Sequence, residues 1–148
     1  MARLLISIAA TAWAVCGAAA WADTGRVLGT WLADEGKSHV QIYMCGDKLC
    51  GKVTWLKEPL DPAGKPQTDV HNSDASLRTR PIMGLDILKG FVQDDSGPGQ
   101  WEDGTIYDPD DGKTYQCTLA LQDPNTLRVH GYVGIAMFGK TQLWTRVQ

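Results

Sequence analysis

From residue 28 onward the chain is a succession of short alternating segments, each cut off by glycine, proline, aspartate or asparagine. Side chains alternate between apolar and polar with a period of two, which is how a half-buried strand reads. No stretch sustains the 3.6-residue period of an amphipathic helix. The segments lie at 28–34, 39–45, 50–56, 85–93, 101–107, 113–122, 127–133 and 140–147. Consecutive strands joined by tight turns pair antiparallel, and eight of them can close on themselves and so remove both exposed edges. The expected fold is therefore all-β, a single antiparallel up-and-down β-barrel of about eight strands. A length of 148 residues leaves room for one such domain. A net charge of −3 argues against a protein that tracks nucleic-acid phosphates.

One hairpin can be set in register from the residues. Placing Cys45 opposite Cys50, across Gly46, Asp47, Lys48 and Leu49, makes Met44, Ile42 and Val40 face Gly51, Val53 and Trp55. Tyr43, Gln41 and His39 then face Lys52, Thr54 and Leu56. One face is apolar and the other mixed, and a slip by one residue would mix the two sets. The cysteines meet on the outer face, where facing Cβ atoms about 4.5–5.5 Å apart approach what a disulfide requires. A second hairpin turns at Asp123, Pro124 and Asn125, with Leu121 opposite Leu127, Leu119 opposite Val129, Cys117 opposite Gly131 and Tyr115 opposite Val133. Cys117 falls on the apolar face and is expected to be a buried, unreactive thiol.

Residues 1–22 have the pattern of a secretory leader: Arg3 at the start, an apolar run, and Ala20-Trp21-Ala22 as a small-x-small cleavage site. The run falls short of the roughly 20 residues of a membrane span. Cleavage after Ala22 would leave a domain over 23–148, exported and, by the bacterial look of the leader, periplasmic. Export permits a Cys45–Cys50 disulfide.

Several short signatures stand along this frame. They are Gly29-Thr30-Trp31, Tyr43 to Gly51, Asp69 to Asn72, Leu77-Arg78-Thr79-Arg80-Pro81, Ile106-Tyr107-Asp108-Pro109, Gly131-Tyr132-Val133-Gly134 and Trp144-Thr145-Arg146-Val147. Together they resemble DUF2147, a domain-of-unknown-function family of small exported bacterial proteins, and the resemblance runs along almost the whole mature chain. It implies a calycin-like barrel related in shape to lipocalins, and it brings no biochemical activity with it. In the lipocalin pattern an arginine near the end packs over the ring of the Gly-x-Trp tryptophan and closes one barrel end. Here those residues would be Trp31 and Arg146, in a structural role.

The chemical candidates are few. Catalytic dithiols use closer spacing at a helix start, so Cys45 and Cys50 read as a staple. His39, His71 and His130 are scattered and do not assemble a zinc set with Cys117. Asp108-Pro109-Asp110-Asp111-Gly112 lacks the terminal glutamate of a calcium loop and reads as a turn. There is no nucleophile elbow and no phosphate loop. No catalytic residue, metal or cofactor is expected.

Two segments exceed what packing requires. The loop 57–81 is longer than the roughly 12–15 residues usual in compact domains and carries Asp69, Asn72, Asp74, Arg78 and Arg80. Its arginines either grip an anionic group in forked geometry or pair with the loop's own acids and pin it across a barrel end. The tip around Ile135, Met137 and Phe138 is apolar between glycines, suited to a lid, an inward plug, or a contact with the envelope or another protein. The chain is thus read as a binding module for a small apolar or amphipathic ligand. Met44, Trp55, Tyr115 and Phe138 would form its wall, and Arg78 or Arg80 its polar end. The alternative is a structural or interaction module with a solidly packed barrel.

Overall fold

Each alternating segment forms a strand in the computed structural model, which describes residues 24–135, 137 and 139–147. The leader expected over 1–22 and the tip residue Phe138 lie outside the described residues. The strands are β1 (Gly29–Ala33), β2 (Ser38–Cys45), β3 (Lys48–Leu56), β4 (Asp86–Gln93), β5 (Gln100–Asp108), β6 (Lys113–Asp123), β7 (Thr126–Tyr132) and β8 (Gly139–Arg146). Every strand pairs antiparallel with its neighbour in sequence. β8 returns to β1 through Trp31↔Arg146 and Leu32↔Thr145, so the barrel is closed and no edge remains.

The β6–β7 hairpin has the register read from the sequence, with Cys117↔Gly131, Leu119↔Val129 and Leu121↔Leu127. The β2–β3 hairpin does not. Cys45 pairs with Lys48 and Tyr43 with Cys50, a shift of two residues from the expected register. The cause is the turn. Gly46 takes φ 66° as the first residue of a two-residue loop, a geometry that follows strand twist better than the longer loop assumed. A two-residue shift keeps every side chain on its face. Cys45 and Cys50 therefore still share the outer face as diagonal neighbours, and they are joined as a disulfide with Cα atoms 5.7 Å apart.

A second departure turns Trp55 around. The β2–β3 ladder has a bulge between His39 and Val40, where β3 carries one extra residue. Val53 faces inward before it and Leu56 lines the interior after it, so Trp55 stands on the outer face, 39% exposed. Its ring lies 4.5 Å from that of His39. A bulge of this kind breaks the two-residue count, so the expectation that Trp55 belongs to the inner wall fails.

One buried cluster runs through the barrel, and most of its bulkiest side chains gather toward one end while Ala33, Val53, Ile87, Val129 and Trp144 continue it beneath the other. Trp31, Trp101, Phe91, Leu49, Leu119 and Leu127 are all fully buried toward the end that carries the β2–β3, β4–β5 and β6–β7 turns. Cys117 lies among them, 1% exposed, and burial pushes its thiol pKa up to about 12. A thiol with that pKa carries almost no thiolate at neutral pH. Thiol titration of unreduced mature protein should therefore find no reactive group in the native state and one after denaturation. A native-state thiol would mean that the Cys45–Cys50 bridge is open.

Candidate functional site

The two ends of the barrel differ in kind. At the packed end, Trp31 donates its indole N–H to the Val27 carbonyl at 2.9 Å. The Arg146 guanidinium sits 4.3 Å from the Trp31 ring centroid. Arg146 also donates to the carbonyls of Pro124 at 2.9 Å, Leu28 at 3.1 Å and Arg26. One cation thus ties the N-terminal approach, the β6–β7 turn and the last strand into a cap. This is the arrangement expected for Trp31 and Arg146.

The other end is open. A cavity of about 700 Å³ enters between the ends of the strands and runs down to Trp144. Its deeper wall is apolar, with Val53, Ile87, Ile106, Val129 and Trp144. Its rim is polar and of mixed charge: Lys37, Lys57 and Lys140 stand with Glu58, Asp108, Asp110 and Asp111. Eight strands give a barrel just wide enough to be filled by side chains or to hold one small ligand. Here the packed end does the first and the open end leaves room for the second.

One side of the mouth is the segment between β3 and β4, held by a buried carboxylate. Asp69 is fully buried. It accepts hydrogen bonds from the Tyr107 hydroxyl at 2.6 Å, the Asn72 side chain at 2.8 Å and Arg80 Nε at 2.7 Å. The Asn72 amide also donates to the Tyr107 oxygen at 3.1 Å, and the Arg80 guanidinium lies 5.3 Å from the Tyr107 ring centroid. Burial works to raise the Asp69 pKa, but the hydrogen bonds of Tyr107, Asn72 and Arg80 together outweigh it, and the carboxyl is held below its ordinary range. Burial and the neighbouring Asp69 raise the Tyr107 pKa in turn. Arg78 donates from Nε to the Asn72 carbonyl at 2.8 Å, and Asp74 caps the short 3₁₀ helix Ala75–Leu77 by accepting from the Ser76 amide at 3.0 Å.

The segment docks on the β5–β6 turn. Gly112 has φ 72°, and a Cβ there would stand 1.8 Å from the His71 carbonyl oxygen. Only glycine fits. The run Asp108 to Gly112 closes as a turn through the Gly112 amide and the Asp108 carbonyl at 2.8 Å, with the Asp108 and Asp111 carboxylates accepting from the Asp110 and Lys113 amides. Two of the three carboxylates that invite a calcium reading, Asp108 and Asp111, are engaged by the turn's own backbone.

The structure separates the residues singled out from the sequence. Tyr115 lines the cavity near its mouth and donates its hydroxyl to Asp111, which raises its pKa. Met44 lies at the opposite, packed end, 39% exposed beside the β2–β3 turn, because alternation assigns a face and not a depth. Trp55 is outside, for the reason given above. Arg78 and Arg80 are engaged within the 57–85 segment, and Arg80 lines a separate groove and not the cavity. Phe138 lies outside the described residues; its neighbours Val133, Ile135 and Met137 are 69%, 61% and 79% exposed around the mouth. Sequence reasoning missed Ile106, Gln142 and Trp144 as wall residues. Alternation along 140–147 carried the signal, since an inward Trp144 entails an inward Gln142.

A family model described as "Uncharacterized protein conserved in bacteria (DUF2147)" matches residues 29–146. Among solved structures the chain is similar to one described as "Protein HP1028 from the human pathogen Helicobacter pylori belongs to the lipocalin family". The TM-score is 0.71 at 23% identity, over 82% of this chain and 83% of that one. At that identity the likeness concerns the fold. No curated protein matches the chain significantly.

Proposed function

The chain belongs to the DUF2147 family, and we propose that its calycin-like barrel is a binding module that takes a small, partly apolar molecule into its open end. The observation that carries this reading is the cavity of about 700 Å³. That lies within the roughly 300–1,000 Å³ of small-molecule sites, and an apolar floor beneath a polar rim is what such sites share. The apolar part of a ligand gains by covering the half-buried Leu56 and Ile106 above the buried Val53, Ile87 and Val129, and its polar part stays in the wet, charged mouth beside Tyr115. We further propose that the leader is removed after Ala22 and that the mature chain acts in the periplasm. The leader pattern and the Cys45–Cys50 disulfide support this.

The experiment is native mass spectrometry of mature protein purified from the periplasm, before and after mild denaturation. A co-purifying small molecule lost on denaturation is expected. A variant supplies the second arm. Gly131 lies in the cavity wall, and a Cβ there would meet Ile106 Cγ2 at 3.4 Å and Tyr115 Cβ at 3.7 Å, a tight but tolerable fit. Gly131→Leu should fill the cavity, abolish binding of an apolar fluorescent probe such as 1-anilinonaphthalene-8-sulfonate, and leave the barrel folded. Undiminished probe binding by a folded Gly131→Leu protein would sink the reading.

A second reading has its own observation. The exposed tip at Val133, Ile135 and Met137 places apolar side chains in solvent at the mouth. This suits contact with the envelope or with another protein through Ile135, Met137 and Phe138. Replacing Ile135 and Met137 by serine should then abolish vesicle or partner association while probe binding in the cavity persists.

A further inference from the structure

We propose that the inner end of the bound molecule carries a neutral hydrogen-bond acceptor, a carbonyl or ester oxygen, and that the carboxamide of Gln142 reads it. This rests on the binding reading above and names the chemical class of its ligand.

Gln142 and Trp144 are successive inward residues of β8, opposite Val129 and Leu127 of β7, and both line the cavity. The Trp144 indole N–H lies 2.9 Å from Oε1 of Gln142. An indole nitrogen can only donate, so the atom facing it must be the carboxamide oxygen. The chemistry of the pair therefore fixes the amide. Its oxygen is committed to the floor of the cavity, and its NH₂ group points elsewhere. No described residue accepts a hydrogen bond from that NH₂. None of the buried side-chain nitrogens or oxygens among the described residues lacks a partner. The Gln142 nitrogen is thus one that water reaches, and on an inward-facing side chain the water comes through the cavity.

A ligand that fills the cavity displaces this water. If it offers nothing but hydrocarbon, the NH₂ loses a hydrogen bond and gains none, which counts against binding. A carbonyl oxygen at the same place restores the bond. An ionised carboxylate would fare worse than a carbonyl. The cavity's lysines, Lys37, Lys57 and Lys140, stand at the rim, so a charge at the inner end would be buried among apolar side chains unpaired. The inner end is accordingly neutral, and any charged group belongs at the rim.

The test measures displacement of 1-anilinonaphthalene-8-sulfonate from the mature protein by 2-nonanone and by its hydrocarbon isostere 2-methyl-1-nonene. Each is run on wild type, Gln142→Leu and Gln142→Glu at pH 8. Glutamate keeps an oxygen for the Trp144 N–H but offers no donor, so it serves even if the leucine variant fails to fold. Both variants should weaken the ketone about tenfold relative to the hydrocarbon, the double difference isolating the one hydrogen bond. Equal shifts for both compounds, or none, would overturn the role of Gln142 and leave the binding reading standing. Failure of the probe and of both compounds to bind wild type would overturn the binding reading itself, and this inference with it.

Discussion

Trp31→Ala should cost about 3–5 kcal/mol of stability, the usual range for deleting a large buried aromatic. The midpoint of thermal unfolding should fall by roughly 10 °C or more. The ring is wholly buried, its N–H is bonded to the Val27 carbonyl, and it is the surface on which Arg146 rests. Removing it opens a cavity that the closed strands cannot collapse, because β1 is held on both sides, by β2 and β8. Arg146→Ala should cost less, about 1–2 kcal/mol. It loses a cation–π contact worth roughly 0.5–2 kcal/mol, and water can replace the guanidinium at the outermost of the three carbonyls it serves. Arg146→Lys should rescue little, since an ammonium cannot lie flat on the ring and reach three carbonyls. Urea unfolding of the three variants orders them. A Trp31→Ala loss below about 1 kcal/mol would mean that the cap is not what closes this end. The Arg146 variants should still bind an apolar probe, because the cap lies at the end away from the cavity.

Asp69→Ala should destabilise the protein by about 2–4 kcal/mol and loosen one side of the mouth. Three donors lose their shared acceptor at once, in a buried place where water is a poor substitute. The lower part of that range applies if Arg80 rehydrates, since its side chain is 33% exposed. Limited proteolysis should cut within 57–85 in the variant and not in wild type. The same carboxylate gives a pH signature. Its folded pKa lies below the ordinary aspartate value, so the folded protein binds this proton less readily than the unfolded chain does. The stability it contributes is complete above the unfolded pKa of about 3.9 and is lost as pH falls through the lower folded value. Wild type should therefore lose more stability than Asp69→Asn on going from pH 6 to pH 3. Parallel pH profiles would show that the carboxylate is not the ion the network is built on.

The strands were legible because their signal is local. Alternation between Gly, Asp and Asn turns places all eight within one or two residues of their observed ends, and it fixes the β6–β7 register and the buried thiol of Cys117. The pairing of Trp31 with Arg146 was legible through resemblance, as two positions at opposite ends of the chain that only barrel closure brings together. The candidate site was much less so. Face follows from parity, but depth along the barrel does not, and Met44 shares the inward set of β2 while lying at the packed end. Parity itself fails at a bulge, which no residue type near His39 announces, and Trp55 leaves the wall there. The long loop declared its acids and arginines without saying that Asp69 would be buried or that Arg80 would be engaged by it.

By itself the sequence determined that the described chain is an antiparallel barrel with a disulfide hairpin at Cys45 and Cys50 and an inert thiol at Cys117, because strand period, turn chemistry and cysteine placement act between near neighbours. Only the tertiary structure decided that one end is packed and the other hollow, and which side chains, Gln142 and Trp144 among them, look into the hollow. Those depend on how far each inward residue sits from the cap, a distance set by the stagger of eight strands around a closed ring and carried by no short stretch of chain.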